Sequence, residues 1–391
     1  MTPAARLQAA VEILDEVIGS ARDDGPPADI IVTRYFKTRR YAGSGDRRAV
    51  RELVFRAIRR SGERPDSGRA AILGLAQDDP GLVELFGQVR GPAAMAEGEA
   101  PSAASAVPSW LESAVSPLIE RSEWPALLKR APLDLRVNVA RVSREEMLDQ
   151  FPGAVPTRVS PWGLRLPADS RVDDHPAFVD GLVEVQDEGS QLIALACKAA
   201  ADHRIVDLCA GGGGKSLALA AAALGAQILA TDTNRSRLSK LAPRAEKAGA
   251  AIETRLLDTP RELESLVDWA GTADVVLVDA PCSGSGTWRR NPEGRWRLSP
   301  ERLGRLVGQQ SRLLDLGAEL VRPGGSLVYA VCSILTAEGE AQAAAFLERR
   351  SSWVAQATPI DAGRLNGAGR LLVPGQDGTD GFFVARFGRP C

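Results

Sequence analysis

Two cysteines stand where chemistry could occur. Cys282 lies in VDAPCSGSGTWRRNPEGRW (Val278 to Trp296), directly after an apolar run of Val275, Val276, Leu277 and Val278. Cys332 lies in LVYAVCSILTAEGE, after a second apolar run. Reactive groups in α/β sheets gather at strand ends. A single strand-end cysteine is more often a small buried hydrophobe. Two of them, one following Asp279 and Pro281, point further. A thiolate can add to carbon 6 of a cytosine and make carbon 5 nucleophilic. Carbon 5 can then accept a methyl group, lose its proton and release the thiol. Such a sequence needs a thiolate, an acid at the pyrimidine edge, a second group for release and a bound methyl donor. Residues of each type are present.

A place for the donor is also written in the chain. IVDLCAGGGGKSLALAAA sets Gly211, Gly212, Gly213 and Gly214 between a strand and a helix. Glycines let a backbone approach a ligand, and a helix start offers free amides. The spacing before Lys215 and Ser216 is not that of a phosphate-binding Walker loop. The next strand ends at Asp232, where an acid grips ribose hydroxyls in Rossmann-like folds. The third ends at Asp258 and the fourth at Asp279. Acids at three successive strand ends repel a pyrophosphate and suit a neutral or cationic adenosyl ligand.

The elements that must position these residues follow from periodicity. From Gln186 onward, strands at Ile205–Cys209, Gln227–Thr231, Ile252–Leu257, Asp274–Asp279 and Ser326–Val331 alternate with Ala/Leu-rich helices, and GFFVARF forms a last strand. That grammar predicts a mostly parallel, doubly wound α/β sheet. Residues 126–181 read as a small α+β unit, with a helix starting near Ser143. Residues 1–125 read as helical, with Leu7, Val11, Leu14 and Ile18 on one face of the first helix. Residues 91–108, rich in Ala, Pro, Ser and Gly, read as a linker or long loop, and Trp110 to Lys129 as helical again.

The chain has 391 residues, a formal net charge of −2, five cysteines and two histidines, His175 and His203. Histidine-based chemistry is poorly supplied, and no Cys/His spacing suggests a metal site. No apolar run reaches membrane-spanning length. A cytoplasmic, monomeric protein with no membrane association is expected. The small net charge hides a cluster. Ten Lys/Arg lie between Arg34 and Arg60 against Asp46 and Glu52, interleaved with Tyr35, Phe36, Tyr41 and Phe55. Clustered cations of this kind bind phosphates. Arg289, Arg290, Arg295, Arg297, Arg302 and Arg305 also suit phosphates, while packing is favoured over base stacking for Trp288 and Trp296.

The carboxyl half resembles the RsmB/Fmu/Sun family of RNA cytosine-5 methyltransferases, related to the Nop2/Sun proteins. The resemblance rests on QDEGSQL (Gln186 to Leu192), DLCAGGGGKS (Asp207 to Ser216), the Asp232 and Asp258 strand ends, DAPCSGSGTWRRNPE (Asp279 to Glu293), RPGGSLVYAVCSIL (Arg322 to Leu335) and DGTDGFF (Asp377 to Phe383). It implies a Rossmann-like catalytic domain over 182–391. It implies that Cys209, Ala210, Gly211, Gly212, Gly213, Gly214, Lys215, Asp232, Asp258 and Asp279 contact S-adenosyl-L-methionine. It also implies Cys332 as nucleophile, Cys282 as the thiol for product release, and Asp279 with the Pro281 carbonyl near the cytosine edge. GSGDRRAVRELVFRAIRR (Gly43 to Arg60) is similar to the NusB-like RNA-binding domain of such proteins. The implied substrate is RNA, namely 16S ribosomal RNA, and not DNA. Transfer RNA is the alternative substrate, and a non-catalytic RNA-binding assembly factor is the reading from another class.

Overall fold

The structure, a computed structural model, describes residues 1–167 and 170–391. The chain packs as two units. One comprises Met1–Val115, Ile119–Lys129 and Thr287–Arg302; the other comprises Ser116–Leu118, Arg130–Gly286 and Leu303–Cys391.

The first unit is helical. It holds α1 (Pro3–Arg22), α2 (Ala28–Lys37), α3 (Ser44–Arg60) and α4 (Gly68–Asp78). Thr2 caps α1 by accepting from the Ala5 amide at 3.2 Å, and Ser67 caps α4 by accepting from the Ala70 amide at 3.0 Å. The apolar stripes meet in one core of Leu7, Leu14, Val17, Ile31, Val54, Ile58 and Ile72. On α3 the buried residues Val50, Val54, Ala57 and Ile58 recur at helical spacing, so its arginines fall on the other faces. Residues 91–108 form no regular element. They are tied down by hydrogen bonds from the Ser102 amide to the Ala70 carbonyl and from the Ser105 amide to the Arg60 carbonyl, each 2.9 Å. The stretch from Trp110 to Lys129 is not one helix. It holds two short 3-10 turns, Ser109–Ala114 and Arg121–Leu127. Pro117 and Pro125 each remove an amide donor, which stops an α-helix from propagating.

The segment 287–302 also belongs to this unit, and its residues satisfy helix ends. Arg295 donates to the Ala106 carbonyl at 2.6 Å, to the Arg59 carbonyl at 2.8 Å and to the Ile58 carbonyl. The Trp296 indole donates to the Ser61 carbonyl at 2.8 Å. Those of Ile58, Arg59 and Ser61 are orphan carbonyls at the end of α3, where a cation also meets the negative end of the helix dipole. Arg297 does the same beyond α1, donating to the carbonyls of Gly25 and Pro26 at 2.9 Å. Glu293 accepts from the Ala28 amide at 2.9 Å, at the start of α2. Trp288 and Trp296 are both buried, as packing residues are.

The second unit carries two sheets. The smaller is antiparallel, with β1 (Leu133–Val137), β2 (Val155–Pro156), β3 (Gly163–Leu166) and β4 (Val183–Val185) in the order β2-β3-β1-β4. The helix Arg144–Gln150 covers it, capped by Ser143 with Glu146 reaching back. The QDEGSQL motif fastens this sheet to the next helix. Glu188, fully buried, accepts from the amides of Val159 at 2.6 Å and Ser160 at 2.9 Å.

The larger sheet holds β5 (Arg204–Asp207), β6 (Gln227–Asp232), β7 (Glu253–Leu256), β8 (Ala273–Asp279), β9 (Val321–Val331), β10 (Val354–Gln356), β11 (Arg364–Asn366), β12 (Gly369–Leu372) and β13 (Phe382–Gly388). Its order is β11-β12-β13-β9-β8-β5-β6-β7, with β10 beside β13. β7, β6, β5, β8 and β9 run parallel; β13 runs antiparallel to β9. Strands covered on both faces read as continuous apolar runs, as Val275 to Val278 and Leu327 to Val331 do. Strand order reverses at β5, which has β6 on one side and β8 on the other. The crevice beyond the carboxyl ends there is the expected ligand site. This is a Rossmann-like, doubly wound α/β fold.

Candidate active site

A cavity of about 360 Å³ opens beyond these strand ends. Leu208 and Cys209 line it after β5, Asp232 at the end of β6, Asp279, Pro281 and Cys282 after β8, and Cys332 after β9. Parallel pairing brings this about, because residues far apart in sequence end their strands at the same level.

After β5 the chain turns through Ala210, whose amide donates to the Thr231 carbonyl at 2.8 Å. Gly211 and Gly213 have φ of +56° and +81°, a region that favours glycine. A Cβ at Gly213 would lie 1.9 Å from the Leu241 side chain, so glycine is needed there on both counts. Ala210 to Lys215 are not among the cavity walls, but two of these residues are tied to wall residues. The Gly211 amide donates to Asp232 at 2.8 Å, and Lys215 donates to Asp279 at 2.6 Å. Asp258 is exposed, one residue past the wall residue Leu257.

Charge at the site is arranged in opposing pairs. Burial works to lower the Lys215 pKa, but Asp279 and the Cys332 sulfur outweigh it and raise it, so the ammonium persists. Asp207 is fully buried and accepts from the Ser216 hydroxyl at 2.6 Å; burial pushes its carboxyl up to about 6. Burial also raises the Cys209 thiol well above its ordinary range, with Asp207, Asp279 and Asp232 adding to the effect. Cys209 is therefore a neutral wall and no nucleophile at neutral pH.

Cys282 and Cys332 come together. Their sulfurs are 3.3 Å apart. The Cys282 thiol is pushed well up, first by its contact with the Cys332 sulfur, then by burial, then by the charges of Cys332 and Glu338. The Pro281 carbonyl accepts from Gln310 at 2.9 Å, which fixes the turn before Cys282. Sequence reasoning missed Gln310, a polar residue inside the helix Pro300–Leu320 with no motif around it. It also missed Glu338, although the dipeptide Cys-Ser at both strand ends marks the two serines that this carboxylate holds.

The residues present fit an adenosyl sulfonium. Asp232 and Asp279 both line the cavity, two carboxylate acceptors suited to hydroxyl and cationic groups. The volume is that of a small-ligand site.

Residues 193–388 match the 16S rRNA methyltransferase RsmB/F family. The ribosomal RNA small subunit methyltransferase B of Xylella fastidiosa (strain 9a5c) is 36% identical over 299 residues, covering 73% of this chain and 69% of that protein. The protein of the same name from Enterobacter sp. (strain 638) is 34% identical over 277 residues, covering 68% and 62%. Among solved structures, that of PH0851 superposes with a TM-score of 0.77 at 22% identity, over 99% of both chains. NSun6 from Pyrococcus horikoshii, solved with SFG, superposes with a TM-score of 0.60 at 17% identity, over 68% of this chain and 92% of its own. These two likenesses are of fold. The chain belongs to the 16S rRNA methyltransferase RsmB/F family.

Proposed function

We propose that this methyltransferase uses S-adenosyl-L-methionine to methylate carbon 5 of a cytosine in small-subunit ribosomal RNA, through a covalent bond between Cys332 and the base. The observation that carries the reading is the pair of thiols 3.3 Å apart in a cavity that also holds Asp232 and Asp279. The names of the relatives support the RNA class.

When bound, S-adenosylmethionine supplies an electrophilic methyl group. Cys209, Asp232 and Asp279 of the cavity wall would hold it, with the turn to Lys215 acting through its bonds to Asp232 and Asp279, and Asp258 lying next to the wall residue Leu257. The Lys215 ammonium, kept charged beside Asp279, supplies positive charge to the site. That sulfur bonds to carbon 6, and the electron pair moves to carbon 5. Asp279 and the Pro281 carbonyl face the edge of the pyrimidine. After methyl transfer and loss of the carbon 5 proton, the sulfur–carbon bond breaks, and Cys282, protonated and in contact with Cys332, assists that release. The helical unit contributes phosphate contacts through the cations of α2 and α3.

The test is to map 5-methylcytosine in ribosomal RNA from a strain lacking this protein. One small-subunit position loses the mark, and the wild-type gene restores it while Cys332→Ala does not. An unchanged methylcytosine map overturns the reading.

A further inference from the structure

Glu338 lies six residues past Cys332, beyond the motif that ends at Leu335, and is fully buried. Its carboxylate accepts from the Ser283 amide at 2.8 Å, the Ser333 hydroxyl at 2.6 Å, Gln310 at 3.0 Å and the Ser283 hydroxyl. Ser283 directly follows Cys282, and Ser333 directly follows Cys332. One carboxylate therefore joins the turns that carry both thiols. Gln310 extends the clamp to Pro281, on the other side of Cys282. The Tyr329 hydroxyl, three residues before Cys332, donates to the Glu338 carbonyl at 2.6 Å. A carboxylate removed from water is costly unless several donors surround it, and here they do. Serines and an amide alone could be bridged by a neutral side chain. The charge needs another reason.

We propose that Glu338 is the positioning residue of the thiol pair: its carboxylate fastens both cysteine turns, and its negative charge makes the two sulfurs unequal. The proposal rests on the roles given to the two cysteines above. The carboxylate takes two bonds from Ser283 and one from Ser333, and a negative charge held against the residue after Cys282 disfavours a second one there. The Lys215 ammonium is paired with Asp279 at 2.6 Å. Around Cys282 the other groups are Cys332 and Tyr329 from β9 and its end, Asp279 at the end of β8 and the Gly284 amide of its own turn. Burial first, then Cys282 and Glu338, raise the Tyr329 hydroxyl well above its ordinary range, so it stays neutral. Cys282 is thereby held as the proton-bearing thiol, which leaves attack on the base to Cys332.

Site-resolved alkylation tests this without RNA or cofactor. The full chain is treated with iodoacetamide from pH 6 to pH 10, and mass spectrometry reads the rate at each cysteine. In the wild type, Cys332 reacts at lower pH than Cys282. In Glu338→Gln, the Cys282 profile shifts down by about one pH unit while that of Cys332 moves less, because a neutral amide no longer opposes the Cys282 thiolate. Superimposable wild-type and Glu338→Gln profiles overturn the proposal. If Glu338→Gln does not fold, the double variant Ser283→Ala/Ser333→Ala decides. It keeps the charge and removes both hydroxyl tethers, the one to the Cys332 turn among them, so the wild-type order of alkylation persists while kcat for methyl transfer falls about tenfold or more with KM for S-adenosylmethionine unchanged. A wild-type kcat overturns the clamp. Failure of the wild type to methylate RNA sinks the functional reading alone, because the alkylation profiles do not depend on it.

Discussion

Residues 34–60 and residues 289–302 are both dense in arginine and aromatic residues, and in the sequence they look alike. In the structure they serve opposite ends. In the first segment Lys37, Arg40, Arg47, Arg48 and Arg51 are exposed along the end of α2 and the first half of α3. Their neighbours are partly neutralised: Arg56 meets Asp79 at 2.9 Å and Arg60 meets Asp78 at 2.8 Å. In the second segment Arg289 and Arg295 are buried, Arg295 is spent on carbonyls at the end of α3 and on Ala106, and Arg297 on the carbonyls of Gly25 and Pro26 past α1. Charge density along a chain does not reveal which way side chains face. What separates the segments is context. α3 has an apolar stripe that turns its arginines outward. The segment 287–302 has Trp288, Pro292 and Trp296 that bury it.

The comparison can be broken by substitution. Arg295→Ala should cost the most stability, about 3–5 kcal/mol, since charge-assisted hydrogen bonds contribute about 1.5–3 kcal/mol each and the freed carbonyls stay buried. Urea denaturation followed by helical circular dichroism reads it; a loss under about 1 kcal/mol would mean that the segment does not hold the helices. Glu293→Ala should cost less, about 1–2 kcal/mol, by removing the acceptor and negative charge at the start of α2. Unaltered stability would remove Glu293 from the capping role.

At the small end, Arg40→Ala/Arg48→Ala should change stability by less than about 0.5 kcal/mol. Here the effect moves to RNA. Binding to ribosomal RNA fragments should weaken, and the slope of log K against log salt should fall by roughly 1.4–1.8, at about 0.7–0.9 for each phosphate no longer neutralised. An unchanged slope would show that this face does not meet phosphates.

Much of the catalytic unit was legible because its signals are local. Apolar runs ending in Asp207, Asp232 and Asp279 mark parallel strands, and four glycines mark the turn after the first. The pairing of Cys282 with Cys332 follows from strand order, which alternation of strands and helices predicts. What stayed hidden depends on distant partners. Glu338 reads as an ordinary acid before a helix, and only folding gives it Ser283 and Gln310. The role of Arg295 is invisible until the end of α3 arrives beside it. Trp110 to Lys129 has helical spacing of apolar residues, yet Pro117 and Pro125 override it, a case where backbone chemistry defeats periodicity.

The central claim is that addition and release fall to different thiols. A denaturing gel of each cysteine variant, after incubation with substrate RNA and S-adenosylmethionine, tests it most directly. Cys282→Ala should accumulate a slow-migrating protein–RNA band, because attack by Cys332 proceeds and release fails. Cys332→Ala should form none, and the double variant should lose the band. A band with Cys332→Ala that vanishes with Cys282→Ala would contradict the account and make Cys282 the nucleophile.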